Sequence, residues 1–278
     1  MERVIGLAHL TSLHIPPPTL IELASEAGCS FVGVRVLPAT PSENRYPLEP
    51  GSRLLSRTSD ALRSTGMRVL DIEALRLSAT TRRDDWREAL EVGELLGASV
   101  LNVIGGDDDR IRMKDNFDAL THDAAEHGIR ASIEPISYSA IRTLGEAEAL
   151  IDGTRAGIML DVLHFVRGGG VITDLTESRR QKLSVIQICD GLHAPPTGME
   201  SPLSMPLNQH PPAGPREIES RTLRLDPGAG EFPLRSILSL VENSVPVSVE
   251  VPNVERSWMV GAGAHVAVAV GATKRLLA

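Results

Sequence analysis

Short apolar runs rich in β-branched residues recur along the chain, and most are followed by a segment whose apolar positions repeat with helical spacing. This alternation predicts βα units that build a parallel sheet. The helical segments include 19–27, 85–96 and 114–127, and each is followed directly by a glycine. The predicted strands are Val4–Ala8, Phe31–Val36, Arg68–Ile72, Ser99–Ile104, Arg130–Glu134, Gly157–Asp161, Ser184–Ile188 and Val245–Val251.

The spacing of these strands favours a closed barrel. Successive strand ends from His9 to Asp190 are 27 to 37 residues apart, which leaves room for one helix in each gap. Eight such units in 278 residues are what a (β/α)₈ barrel, or TIM barrel, needs. No glycine-rich phosphate loop follows the first strand, so the pattern does not favour a dinucleotide-binding sheet. We expect one TIM-barrel domain over residues 1–278.

One connection is about twice as long as the others. Asp190 and Glu250 are 60 residues apart, and the stretch after strand seven is rich in Pro and Gly and contains His193 and His210. Long loops at this end of a barrel commonly cover the active site. We therefore expect residues 191–230 to form an extended loop over the barrel mouth; a surface loop with no role in the site is the alternative.

Composition narrows the function classes. Hydrophobic residues make up 42% and charged residues 23%, as in globular proteins. A net charge of -8 and only 3% aromatic residues argue against a nucleic-acid partner. No apolar run is long enough to span a membrane, the N-terminus lacks a secretory pattern, and Cys29 and Cys189 fit a reducing compartment. We expect a cytoplasmic protein with a small-molecule partner, and leave open a homo-oligomer.

Polar residues cluster at the ends of the later strands. Glu134 ends strand five, Asp161 ends strand six, Gln187 and Asp190 follow in strand seven, and Glu250 lies in strand eight. The carboxyl ends of barrel strands form the active-site face. Three carboxylates and one amide oxygen suit Mn²⁺ or Mg²⁺, with Co²⁺ or Zn²⁺ as alternatives. We predict one divalent metal ion bound by Glu134, Asp161, Gln187 and Glu250; pairing with arginine at the mouth is the alternative reading.

The same residues carry a family resemblance. Glu134, Asp161 followed three residues later by His164, Gln187 and Glu250, together with the segment RLDPGAGEFPL, resemble the xylose-isomerase-like superfamily of sugar isomerases and epimerases over most of the chain. In its ketose 3-epimerases and inosose isomerases, a Glu, an Asp, a His and a Glu at the positions of Glu134, Asp161, Gln187 and Glu250 bind one divalent metal. The resemblance implies that Glu134 and Glu250 are catalytic and move the substrate proton, and that His164 contacts substrate oxygens.

Gln187 departs from that pattern, because the ketose epimerases have histidine there. Some 3-dehydroshikimate dehydratases of the superfamily have glutamine at this place. We therefore expect a divalent-metal-dependent isomerase or epimerase of a small keto-sugar or polyol-like substrate, acting through an enediolate. The alternatives are a metal-dependent dehydratase of the 3-dehydroshikimate or keto-inositol type, in which His164 is the acid, and a non-catalytic barrel that binds a sugar or a partner. The acidic balance argues against the DNA-repair endonucleases of the superfamily.

Four other positions belong to the expected mouth. Arg224 in RLDPGAG resembles an arginine that precedes a Gly-x-Gly loop in the epimerases, so we predict that it binds a substrate oxygen or carboxylate; Arg221 is its competitor. His9 and Glu73, at the predicted ends of strands one and three, are further candidates for substrate binding or for rim hydrogen bonds. The acidic run at 107–109 is interpreted as a loop and a helix N-cap.

Overall fold

The strands form a closed parallel barrel in chain order, and the last strand pairs with the first. This computed structural model describes residues 2–40, 43, 45–197 and 214–278. The predicted TIM barrel is confirmed. The strands are β1 (Ile5–Leu7), β2 (Phe31–Arg35), β3 (Arg68–Leu77), β4 (Val100–Gly105), β5 (Arg130–Glu134), β6 (Gly157–Asp161), β7 (Leu183–Ile188) and β8 (Val247–Val249).

Two strands differ in length from the prediction. β3 continues past Ile72 because, after an irregularity in register, Leu75 to Leu77 pair again with β4. β8 is shorter than the apolar run around it, since its pairing with β1 and β7 covers only Val247–Val249. Glu73 consequently lies within β3, whereas Glu250 directly follows β8.

Helices cover the outside of the barrel. Their ends follow local signals: Ser52 caps one helix by accepting a hydrogen bond from the Leu55 N–H, and Asp109 caps another, as interpreted from the sequence. Gly66 and Gly128 follow two helices with φ of 70° and 69°, a conformation that favours glycine. The helices are α1 (Pro17–Glu26), α2 (Arg53–Thr65), α3 (Asp84–Leu95), α4 (Arg110–Glu126), α5 (Leu144–Ile151), α6 (Val162–Arg167), α7 (Glu177–Arg180), α8 (Pro215–Thr222), α9 (Leu234–Leu240), α10 (Val254–Val260) and α11 (Ala262–Leu277).

The barrel interior changes from apolar to polar along its axis. Near the amino ends of the strands, a separate cluster of buried side chains comes from five different strands and fills the interior: Phe31, Leu70, Val100, Met159 and Val185. At the carboxyl ends, the inward side chains are carboxylates, amides and arginines. A filled lower half and a polar upper half place the functional face at the carboxyl ends, as in other TIM barrels.

The long connection after β7 returns to the barrel through α8. Backbone bridges join Asp190 to Leu225 and Leu223 to Asn253, so the chain that follows α8 lies against the ends of β7 and β8. His210 lies outside the described residues, and the covering role of 191–230 stays a prediction. Among the helices that the structure describes, none combines the length and apolar character needed to cross a membrane.

Candidate functional site

The four predicted metal ligands converge at the carboxyl ends of β5 to β8, and all four are buried. Oxygens of Glu134 and Asp161 and a ring nitrogen of His164 lie within 4.8 Å of one another. The Gln187 Nε2 donates a hydrogen bond of 2.8 Å to Glu250 Oε1. His164, predicted to contact substrate, is therefore also near enough to act as a metal ligand.

Arg224 lies among these side chains. Its Nη1 is 2.7 Å from Asp161 Oδ2 and 3.0 Å from Glu250 Oε2, so one guanidinium joins two of the predicted ligands. The Nε donates to the Ser220 carbonyl at 2.7 Å, and Nη2 donates to Ser220 Oγ at 3.2 Å. Arg221 lines the same cavity but pairs with Glu43 and not with the predicted ligands. Both readings of the strand-end carboxylates thus have support: they cluster as ligands would, and two of them pair with an arginine.

The carboxyl groups differ in their affinity for protons. Burial, with the nearby Asp161 charge, raises the pKa of Glu134 to about 7, although Asn102 opposes the rise by donating 2.7 Å to Glu134 Oε2. Burial also raises the pKa of Glu250 well above its ordinary value. Burial acts on Asp161 in the same sense, but the Arg224 and His164 charges outweigh it and bring the pKa to about 2. Asp161 is thus ionised at neutral pH, while Glu134 is close to its midpoint.

His164 is held at the start of α6. Asp161 Oδ1 accepts from the Leu163 and His164 backbone N–H groups at 2.7 and 3.2 Å, which caps the helix and fixes the place of the imidazole. The ring nitrogens lie 3.3 Å from Ser137 Oγ and 3.2 Å from Ser220 Oγ. Burial lowers the pKa of His164 to about 4, so the ring is neutral at physiological pH.

The other side of the mouth, near β1 to β3, is a network of mutual contacts. The His9 backbone N–H donates to Glu73 Oε1 at 3.0 Å, and Glu73 Oε2 lies 3.3 Å from Arg35 Nη2. His9 Nδ1 accepts from the Arg35 backbone N–H, and Nε2 bonds the Ile15 carbonyl at 2.9 Å. Both ring nitrogens of His9 are thus engaged by backbone groups. The substrate contacts predicted for His9 and Glu73 stay predictions.

Several residues of the mouth were not predicted from the sequence. Asn102, in the middle of the apolar strand VLNVIG, carries the same signal as Glu134, a polar side chain within a buried strand. Ser220 and Glu43 have no such signal, because they reach the site from segments outside the strands. Asp190 was among the strand-end acids, but its carboxylate accepts from the Gly191, Gly228 and Phe232 backbone N–H groups and so fixes a loop.

The donor set fits a divalent cation. Three carboxyl groups meet at this rim with one arginine in direct contact, so in their ionised forms they carry more negative charge than that arginine balances. The carbonyl oxygen of Gln187 is buried and has no hydrogen-bond partner within the part of the chain that the structure describes. A buried oxygen of this kind is costly unless it binds a donor or a cation. Carboxylate and amide oxygens are hard ligands, as Mg²⁺ and Mn²⁺ prefer.

Comparisons with known proteins agree with this architecture. The family model described as the xylose isomerase-like TIM barrel matches residues 21–268. No curated protein matches the chain. Similar solved structures include the IolI protein with a bound zinc atom, 18% identical with a TM-score of 0.73, covering 99% of this chain and 98% of that one. Another is the probable 3-DHS dehydratase AsbF from Bacillus anthracis, 15% identical with a TM-score of 0.72, covering 99% of each chain.

A third similar structure is D-allulose 3-epimerase from Methylomonas sp., 16% identical with a TM-score of 0.63 and covering 99% of each chain. At such identities the likeness to solved structures establishes the fold alone. The family model spans most of the sequence, and it confirms the resemblance predicted from the strand-end residues. The chain belongs to the xylose isomerase-like TIM barrel family.

Proposed function

We propose that this protein is a divalent-metal-dependent isomerase or epimerase of a small polyhydroxylated carbonyl compound. The observation that carries the proposal is the placement of Glu134 and Glu250. Glu134 ends β5 and Glu250 follows β8. These strands stand three positions apart in a ring of eight, so the two carboxyl groups approach the mouth from facing walls. Membership of a family whose structural neighbours include epimerases supports an enzyme of this kind.

Glu134, Asp161, Gln187 and Glu250 would hold the metal ion, with His164 within reach of the same group. The ion would supply Lewis-acid stabilisation of negative charge that develops on the substrate oxygen. Mn²⁺ and Mg²⁺ match the oxygen donors best, and the zinc atom of the IolI structure supports Zn²⁺ as an alternative.

The protein's own groups account for the proton transfers. A carboxylate with a pKa of about 7 is a suitable general base at neutral pH, and Glu134 has this property. Its Oε2 accepts from Asn102, which leaves Oε1 to take the proton from the carbon next to the substrate carbonyl. Burial raises the pKa of Glu250 well above its ordinary value, so Glu250 binds a proton more readily than a free glutamate, and in its protonated form it would donate that proton from the facing wall. Return of the proton to the opposite face gives an epimer, and return to the adjacent carbon gives an isomer.

The state of His164 favours isomerisation over dehydration. A dehydratase must protonate the hydroxyl group that leaves, and His164 was the candidate acid. Burial lowers its pKa to about 4, so it carries no exchangeable positive charge at neutral pH and suits a role in orienting substrate oxygens. Dehydration remains the second candidate, because glutamine at position 187 resembles the 3-dehydroshikimate dehydratases and a probable dehydratase shares the fold.

The first test is metal content. The protein is stripped with a chelator, reloaded with Mn²⁺ and analysed by mass spectrometry beside Asp161→Asn. Asp226→Asn serves as the matched control, since Asp226 also pairs with an arginine, Arg256, but lies outside the site. We expect one ion per chain in the parent protein and the control, and loss of the ion in Asp161→Asn. Absence of bound metal in all three proteins would contradict the proposal and favour a non-catalytic binding barrel.

The second test separates the two reactions. Ketoses, keto-inositols and dehydroshikimate are incubated with the loaded enzyme in deuterated water. Deuterium gained at the carbon next to the carbonyl without loss of water indicates an isomerase or epimerase. A new enone absorbance from a ketose or keto-inositol, or an aromatic product from dehydroshikimate, which is itself an enone, indicates a dehydratase and would contradict the leading proposal.

A further inference from the structure

Arg224 is a positive charge built into the metal-binding group. Its side chain is among the largest that the fold buries completely. Besides Asp161 and Glu250, its contacts are the two bonds to Ser220 and a 3.6 Å approach of Nη1 to Cys189 Sγ. Arginine is protonated at physiological pH, and this guanidinium faces the carboxyl groups of Asp161 and Glu250. The arginine is therefore charged in the place where a cation is expected.

The two carboxylates that it contacts have no oxygen without a donor. Asp161 Oδ1 accepts from two backbone N–H groups of α6, and Oδ2 accepts from Arg224. Glu250 Oε1 accepts from Gln187, and Oε2 faces Arg224. A metal ion that binds both carboxylates shares oxygens that already accept from these donors, so it comes close to at least one of them.

The hydrogen-bond donors differ in how easily a metal ion can displace them. The N–H groups that bind Asp161 are fixed by the first turn of α6. The Gln187 amide can turn so that its unpartnered oxygen, and not its nitrogen, faces the ion. Arg224 cannot change sign, and two positive charges about 3 to 4 Å apart in a buried site repel each other strongly. The guanidinium is the group that has to move.

We propose that Arg224 competes with the metal ion for Asp161 and Glu250. The inference rests on the proposed function, since it takes the ion to bind at this site. When the ion is absent, Nη1 faces the two carboxylates. When the ion binds, the planar guanidinium turns as one body, so that Nη1 leaves that position and at most one of the bonds of Nε and Nη2 to Ser220 is kept. Metal loading then frees Nη1 for a substrate oxygen, and so couples metal binding to assembly of the substrate site.

The competition has two consequences. Removal of the Arg224 charge leaves Asp161 and Glu250 close together without compensation, which destabilises the protein without metal. The same removal eliminates the repulsion toward the ion, which strengthens metal binding. If Arg224 only held its neighbours in position, its removal would weaken metal binding, because loss of an ordering contact weakens a metal site.

The test compares Mn²⁺ affinity by calorimetry with the thermal unfolding of chelator-treated and loaded protein. Arg224→Gln should bind Mn²⁺ on the order of tenfold more tightly than the parent, a small part of the charge repulsion expected at short range. Its Tm without metal should fall, and Mn²⁺ should raise it by more than in the parent. Arg224→Lys, which keeps the charge, should stay close to the parent in affinity.

The control is Arg167→Gln. Arg167 is also buried and makes two bonds to a carboxylate, Glu219, at 2.6 and 2.8 Å, but it lies outside the metal-binding group. This variant should lower the Tm of both forms and leave the affinity unchanged. Should Arg224→Gln not fold without metal, Ser220→Ala loosens the guanidinium and should raise Mn²⁺ affinity about threefold.

The outcomes separate the inference from the proposed function. Mn²⁺ affinity that is unchanged or weaker in Arg224→Gln, or in Ser220→Ala where that variant replaces it, would overturn the competition and leave the metal site standing. Failure of the parent protein itself to bind Mn²⁺ would overturn the proposed function and the competition with it.

Discussion

Asn102 offers a direct way to change the proton affinity of Glu134. The Asn102 side chain is buried in β4, and its Nδ2 donates a 2.7 Å hydrogen bond to Glu134 Oε2. Its own carbonyl oxygen has no partner among the described residues. Asn102→Leu keeps a side chain of similar length, removes that unpartnered oxygen, and deletes the one bond that favours the ionised form of Glu134.

The size of the effect follows from the type of bond. A hydrogen bond to a charged group contributes about 1.5 to 3 kcal/mol, and one pKa unit corresponds to about 1.4 kcal/mol. Because the bond stabilises the carboxylate and not the acid, its loss should raise the pKa of Glu134 from about 7 by about one unit or more. Protons and metal compete for Glu134, so the Mn²⁺ affinity should rise with pH and level off near that pKa.

The assay is the Mn²⁺ dissociation constant measured from about pH 6 to about pH 9. In the parent protein the affinity should level off near pH 7, and in Asn102→Leu the same bend should lie about one unit higher. Glu134→Gln is the control, because it removes this titrating group and should abolish the bend near pH 7 at lower affinity. A bend at the same pH in the parent and in Asn102→Leu would refute the argument that this hydrogen bond sets the proton affinity of Glu134.

Two further predictions concern the fold. Burial lowers the pKa of His265 to about 4 from an ordinary 6.5, so between these two pH values the unfolded chain binds more protons than the folded chain. The free energy of unfolding, measured by urea denaturation, should therefore fall by up to about 3 kcal/mol as the pH drops through this window. The fall should be smaller in His265→Gln. Equal slopes would disprove it. In Gly6→Ala the new Cβ would lie 2.2 Å from the Phe31 ring, so the free energy of unfolding measured in urea should fall by about 2 kcal/mol or more. Gly271→Ala, whose Cβ would lie 3.4 Å from the nearest atom, should be neutral or stabilising. Similar values for the two variants would contradict the packing argument.

Much of the fold can be predicted from the sequence because each βα unit is specified locally. An apolar run such as GIMLD and the helix after it are neighbours in sequence, and their periodicities decide strand and helix without knowledge of distant residues. The limits of a strand are different, because the neighbouring strand decides them. β3 extends to Leu77 since β4 is present to pair with it, and β8 ends at Val249 where its pairing with β7 ends. Neither limit is encoded in the segment itself.

The same distinction separates the parts of the candidate site that the sequence predicts from those that it does not. Glu134, Asp161, Gln187 and Glu250 could be placed together because a barrel brings all strand ends to one rim. Arg224 could be assigned to the mouth from the segment RLDPGAG, but the contacts that Arg224 and Ser220 make there could not be predicted, because they join segments distant in sequence. Ser220 reaches His164 across 56 residues, and Arg224 reaches Asp161 across 63. Such contacts depend on how the connection after β7 folds back, and the pattern of that connection predicts a loop without specifying its path.

The two sides of the mouth are organised in different ways, and the difference bears on where a cation binds. On the side of β1 to β3, His9 uses both ring nitrogens on backbone groups, and Glu73 is held by His9 and Arg35. A side chain already committed in this way loses its bonds if it turns toward a ligand. On the side of β5 to β8, Glu134 is close to its proton midpoint and Gln187 keeps an oxygen without a partner in the described structure. Groups in that condition gain a bond when a cation arrives, so we expect the metal ion on the second side. On the first side Glu73 Oε2 and Arg35 Nε also have no hydrogen-bond partner among the described residues, so the substrate contact predicted for Glu73 requires no loss of a bond at that oxygen.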